Sequence, residues 1–306
     1  MNAPIDPKAI RGAFEHEFEQ LDVRYDPENS AFWTYMKPTG APCFNMGLLK
    51  EIRANDEAFE LNNGFVLYEG EPRRAHYHIV ASKIKGTFNL GGDLGLFVLL
   101  IKSRDRDALF RYAKLCIDDI WARICNYHVP ITTISLVQGD ALGSGFETAL
   151  SSNVIVAERS AKMGFPEILF NLFPGMGAYS LLGRRIGMKR AEEMIISGRI
   201  FRASELHEMG LVDVLAEDGQ GEQAVGDFIK RSVKKRNGMQ AVFKARQHFN
   251  PLSYDELINI TKIWVDAAMR LEDRDIKIMG RVARAQLRRH HQDAPTQEQG
   301  LMAEAA

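Results

Sequence analysis

The stretch ITTISLVQGDALGSGFETAL, residues 131–150, constrains the fold more than any other. ITTISLV is β-branched and apolar, which reads as a buried strand. GDALGSGFE then turns the chain into a short helix. The same order recurs elsewhere. AHYHIVAS (75–82) reads as a strand, and GTFNLGGDLGLF follows as a glycine-rich turn entering a helix. VIVAE (154–158) and LVDVL (211–215) read as further strands. Strands that alternate with helices through glycine turns predict an α/β core.

Around that core the pattern is more local. LDVRYDP and AFWTYMKP read as a hairpin across a PEN turn, and residues 45–61 have helical spacing. Residues 105–127 read as an amphipathic helix with Leu109, Ala113, Cys116, Ile120, Ile124 and Tyr127 on one face, ended by Pro130. After residue 215 the chain reads as helical. Residues 220–236 form one helix, and a second starts at Ser253, where SYDE fits a capping box with Glu256 reaching back. Its apolar face is Leu257, Ile260, Trp264, Ala268 and Leu271. The reading divides the chain into an N-terminal extension (1–20), a core (21–218), a helical region (219–291) and a disordered tail (292–306). No repeat of fixed period is present.

Composition removes several classes of function. Lys plus Arg is 39 against 40 for Asp plus Glu, so the basic surplus of a general nucleic-acid binder is missing. Three cysteines, Cys43, Cys116 and Cys125, match neither a disulfide framework nor a zinc motif, and Cys116 and Cys125 read as core thiols. No stretch approaches the roughly 18–20 apolar residues of a membrane span, and the charged N-terminus lacks a signal-peptide apolar region. The expectation is a cytoplasmic protein without a metal. GSGFET and PGMGAYS both lack the third glycine of a dinucleotide loop, and no phosphate-cradling P-loop occurs. Leu142 stands where a nucleophile elbow would need glycine before Ser144. His76 and His78 alternate along a strand and read as a polar strand face.

Two carboxylates remain. Glu147 follows the GSG turn among Phe146, Ala149 and Leu150. Glu167 follows Pro166 among Phe165, Ile168, Leu169 and Phe170. Each alone reads as a structural acid in the first turn of a helix. Together, beside apolar neighbours that raise a carboxyl pKa, they suit proton transfer near neutral pH. The GSG turn and FNLGGDL (88–94) each offer a main-chain N–H to an anion, and two such donors converging would make an oxyanion hole. The ordinary reading of both segments is a strand-to-helix turn, and the residues alone leave the two readings even.

Residues 137–215, from VQGDALGSGFETAL through FNLFPGMGAYS to LVDVL, resemble the central signature of the crotonase (enoyl-CoA hydratase/isomerase) superfamily. FNLGGDLGLF, GDALGSGFETAL and FNLFPGMGAYS are most similar to its diffusible signal factor synthase branch. The resemblance implies an α/β, crotonase-like spiral of ββα units with a helical C-terminal region. It implies main-chain donors at Gly92 and Ser144, catalytic roles for Glu147 and Glu167, an acyl pocket including Leu142, Met176 and Trp264, and substrate-binding positions at Gly91 and Gly143 as well. It implies no cofactor. The substrate would be a 3-hydroxyacyl thioester of acyl carrier protein, or of coenzyme A, and the product a free cis-2-unsaturated fatty acid used in quorum sensing. The resemblance also implies a homo-oligomer, trimer or hexamer, and a sensor protein as a further partner. Two alternatives stand beside it: a plain enoyl-CoA hydratase or isomerase, and a catalytically idle regulator of the same fold. An acidic carrier would meet a basic rim, for which Arg73, Arg74, Lys83, Lys85, Lys230, Arg231 and Lys234 to Arg236 are candidates.

Overall fold

Two sheets carry the α/β core. The computed structural model describes residues 17–293, so the readings of a disordered tail and of most of the N-terminal extension lie outside the described residues. In chain order the strands are β1 (Leu21–Asp26), β2 (Ala31–Met36), β3 (Phe65–Tyr68), β4 (Glu71–Arg74), β5 (Tyr77–Ser82) and β6 (Gly86–Asn89). They continue as β7 (Thr132–Val137), β8 (Gly139–Leu142), β9 (Val154–Glu158), β10 (Lys162–Gly164), β11 (Ile200–Arg202) and β12 (Val214–Ala216). The larger sheet has the order β1-β2-β5-β7-β9-β12. Its β1–β2 hairpin is antiparallel, and the other pairings are parallel. Every residue of β7 is buried, as its apolar run requires, and the register Ile79–Ile134–Val154 lines apolar side chains across the sheet.

The smaller sheet, β11-β10-β8-β6, has two of its strands inside the glycine-rich segments read as turns. Strands β6 and β8 occupy part of GTFNLGG and of GDALGSG. β6, β8 and β10 run parallel, so the loops leaving their carboxyl ends lie side by side. Open parallel sheets bind ligands at such ends.

Other boundaries also moved. The helix Arg106–Ile124 stops before Tyr127, which stands in a separate short turn with φ 52°. The helix expected over 220–236 ends at Ser232, and a new one spans Arg236–Phe249. Helix Tyr254–Ala268 starts at Ser253, whose Oγ accepts from Glu256 N at 3.1 Å. The Glu256 carboxylate does not reach back to close the capping box. It accepts from Arg184 at 2.8 and 2.7 Å and from Ser180 Oγ at 2.6 Å, tying this helix to Ala178–Ile186. Cys116 is buried, whereas Cys125 is partly exposed.

The histidine reading fails. His76 lies before β5, and His78 is fully buried rather than on a polar face. Its ring packs among Phe32, Phe59 and Tyr127, and Nε2 sits 2.9 Å from Thr34 Oγ1. Burial holds its pKa well below the ordinary range, so it stays neutral. No cluster of metal-ligating residues occurs among the described residues, and no helix among them is long and apolar enough to cross a membrane.

Candidate active site

Three adjacent strand ends build the site. After β6 comes the Leu90–Gly92 loop, after β8 the Gly143 turn and helix Ser144–Leu150, and after β10 the segment leading to Glu167. The β8–β10 register pairs Ala141 with Met163 and Leu142 with Gly164, and Gly143 N donates to Gly164 O at 3.0 Å. Beyond that pairing, Phe146 and Phe165 stack with centroids 5.1 Å apart, both fully buried. Burying each ring contributes about 1.5–3 kcal/mol. That stack fixes the chain beside both glutamates, which is how Glu147 and Glu167 come to line one cavity.

The glycines are there for closeness. Gly143 has φ 52°, and a Cβ on it would lie 2.3 Å from Glu167 Oε1. A Cβ on Gly145 would lie 2.1 Å from the Asn89 carbonyl oxygen, so the first turn of the helix rests directly on the end of β6. Gly91 N donates to Asn89 Oδ1 at 2.8 Å, which shapes the neighbouring loop. The bridge between Phe44 and Gly92 runs through the Gly91 carbonyl, which accepts from Phe44 N at 2.8 Å, and does not engage the Gly92 N–H. Ser144 is the first residue of its helix, where an N–H has no partner within the helix.

Glu147 is 1% exposed. Its Oε1 accepts from Met176 N at 3.0 Å and Ala178 N at 2.9 Å, while Oε2 has no partner among the described residues. Burial pushes its carboxyl up to about 7, with the two amides and Ser144 pulling the other way. Glu167 is half-buried, yet its Oε2 is shut off from solvent and unpartnered among the described residues. Burial first, and then the charge of Glu147, push it up to about 8.

Gly91, Gly92, Leu142, Gly143, Ser144, Met176 and Trp264 line the same cavity as the two glutamates, so the structure brings the sequence-derived set together. Sequence reasoning missed much of the wall. Phe97 meets Trp264 edge-on at 5.2 Å, Phe170 and Leu172 follow Glu167, and Val282, Ala285 and Gln286 arrive from helix Asp273–Asp293. A Cβ on Gly175 would lie 2.2 Å from the Trp264 ring, a contact no local pattern announces. None of the basic residues suggested as a rim lines this cavity. Lys83 pairs with Asp22 at 3.0 Å, and Arg73 and Arg74 stand on the β3–β4 hairpin.

The raised acids leave a signature in stability. Each carboxyl is above the ordinary 4.5 in the fold, so the folded state binds more protons than the unfolded chain above that pH. Their contribution to stability is therefore complete below about pH 4.5 and falls as the pH rises through 7 and 8. Glu147→Gln is expected to raise the melting temperature by several degrees near pH 9 and to change it little near pH 4. Calorimetry across that range checks this, and an equal shift at both ends would contradict it.

The profile of the enoyl-CoA hydratase/isomerase family matches residues 58–282, and the chain belongs to that family. A probable enoyl-CoA hydratase of Rhizobium meliloti (strain 1021) is 39% identical over 107 residues, which is 35% of this chain and 41% of that protein. Human mitochondrial methylglutaconyl-CoA hydratase is 34% identical over 147 residues, covering 48% of this chain and 41% of the human one. The chain thus spans about two fifths of the length of these two relatives. Among solved structures, Pseudomonas aeruginosa DspI superposes with a TM-score of 0.64 at 20% identity, covering 84% of this chain and 98% of that one. Enoyl-CoA hydratase from Bacillus halodurans gives 0.69 at 18%, covering 86% and 100%. The fold is shared with both.

Proposed function

We propose that the protein removes water from a 3-hydroxyacyl thioester of acyl carrier protein and then hydrolyses the thioester, releasing a cis-2-unsaturated fatty acid as a quorum-sensing signal. The observation that carries this reading is the pair Glu147 and Glu167, both poised near neutral pH on a cavity that Gly92 and Ser144 also line. The thioester oxygen would accept from the Gly92 and Ser144 N–H groups, which stabilises an enolate at the neighbouring carbon. One glutamate takes the α-proton and the other protonates the departing 3-hydroxyl as water. The two carboxyls titrate as a pair, so the rate is greatest where one is ionised and one protonated, between about 7 and 8. In the second half, a glutamate draws a proton from water, the water oxygen bonds to the carbonyl carbon, and the oxyanion collapses with loss of the carrier thiol. The same two amides hold that oxyanion.

The hydratases among the relatives favour a second reading, reversible hydration of an enoyl-CoA with the thioester kept. Mass spectrometry separates the two. Purified protein incubated with 3-hydroxyacyl carrier protein is expected to release free cis-2-enoic acid. Product that stays wholly thioester-bound would decide for the hydratase.

A further inference from the structure

Helix Asp273–Asp293 lines the catalytic cavity and is tied down by two polar side chains about three turns, or roughly 16 Å, apart. Near its start, the buried Asp275 carboxylate accepts from Asn171 Nδ2 at 3.2 Å. Asn171 ends the short turn Pro166–Phe170 that carries Glu167. Further along, Gln286 is 8% exposed, and its Nε2 donates to the Leu90 carbonyl at 2.9 Å. Between these anchors Met279 is fully buried and Val282 lines the cavity, so positions 275, 279, 282 and 286 share one face of the helix.

Leu90 opens the loop that ends at Gly92, and the hydrogen bonds of that loop can be followed group by group. Leu90 N donates to Pro42 O at 2.8 Å, Gly91 N to Asn89 Oδ1 at 2.8 Å, and Asp93 N to the Tyr112 hydroxyl at 3.1 Å. Of the N–H groups of residues 90–93, only that of Gly92 has no partner among the described residues. Gly91, with φ 95°, is the joint between two peptide planes. A glycine turns easily about such a joint, so the Gly92 N–H keeps its direction only while both planes are held. Phe44 N holds the second plane by the Gly91 carbonyl, which points the Gly92 N–H the opposite way. Asn89 and Gln286 hold the first plane, one by its N–H and the other by its carbonyl.

We propose that Gln286 is a positioning residue: by fixing the Leu90 carbonyl it aims the Gly92 amide at the substrate oxygen, and its helix braces that loop against the turn carrying Glu167. The inference rests on the reading that the Gly92 amide holds a thioester oxygen, and it names what aims that amide. It holds whether the thioester is afterwards hydrolysed or kept. Gln286 touches no reacting atom in this scheme. It acts through the loop, and Asp275 steadies the other end of the same brace.

A carbonyl probe tests the aim directly. A saturated acyl-CoA analogue with methylene in place of the thioester sulfur can neither lose water nor be hydrolysed, and isotope-edited infrared spectroscopy reads its carbonyl stretch. Two donors on that oxygen should lower the stretch when the analogue binds the wild-type protein. Gln286→Met keeps the length of the side chain and removes its donor. It should lose roughly half of that lowering, since the Ser144 amide remains. In dehydration of a 3-hydroxyacyl thioester it should lower kcat about a hundredfold and change KM by no more than about threefold. A folded Met variant that keeps the wild-type stretch and kcat would overturn the inference, even if it melts earlier, because a glutamine that only fills the core predicts no more than that. Should the Met variant fail to fold, Gln286→Glu carries the same test. Its carboxyl can donate to the Leu90 carbonyl when protonated and repels it when ionised, so its rate relative to wild type should rise as the pH is lowered from about 8 to about 5. A ratio constant over that range would overturn the inference. A wild-type protein that binds the analogue with its stretch unshifted would sink the oxyanion reading of Gly92 and Ser144, and this inference with it. A shift that survives Gln286→Met would leave that reading standing and remove only Gln286.

Discussion

Replacing Glu147 by glutamine is expected to lower the rate of acid release by about a thousandfold or more, with substrate binding nearly unchanged. The reason is local. The amide oxygen of the new side chain can still accept from the Met176 and Ala178 N–H groups, so the loop after Glu167 keeps its place. What disappears is a group held near 7 that can exchange a proton with the substrate. Glu167→Gln should cost a similar factor, and the double variant little more than either single one, as expected of two acids that share the proposed proton transfers. Single-turnover rates with the carrier-bound substrate measure this. Full activity in either single variant would remove that carboxyl from the proposed chemistry.

The second large effect is structural. Gly145→Ala is expected to destabilise the fold by about 1–3 kcal/mol or more and to lower activity with it. The added Cβ would sit 2.1 Å from the Asn89 carbonyl oxygen, which is backbone and cannot rotate away. Either the helix Ser144–Leu150 lifts off β6 or the Leu90–Gly92 loop retreats, and both movements separate the amides of Gly92 and Ser144. Gly226→Ala is the natural control. It lies in helix Gly221–Ser232 with nothing within 4 Å of an added Cβ, so alanine should be neutral or stabilise by about 1 kcal/mol. Thermal melts of the two variants, read beside their rates, decide it. Equal melting temperatures would mean that the close approach at Gly145 is not what holds the site.

Some features of the site were legible for a simple reason. Phe146 and Phe165 flank the glutamates in sequence, and apolar neighbours in both segments gave the signal that the acids would be buried. The stack of those two rings supplies the burial. Glycines at 91, 143 and 145 were visible as turns, but a turn does not say what approaches it. The strands β6, β8 and β10 were not legible, because four- and three-residue strands owe their existence to partners far away in the chain. His78 misled because period-two alternation signals a shared face and cannot tell whether that face meets water or a helix; here Phe59 from the helix Met46–Leu61 covers it. The break of the predicted 220–236 helix at Ser232 had no glycine or proline to mark it.

By itself the sequence determined the alternating strands and helices, the two carboxylates and the glycines beside them. Those follow from local patterning: apolar periodicity, and the freedom of a residue without a Cβ. Only the tertiary structure decided that Ala141 pairs with both Asn89 and Met163, and that helices far along the chain wall the cavity with Trp264 and Val282. Contacts between distant segments depend on the register of the sheets and the volume of the side chains between them, and neither is written in any one stretch of the chain.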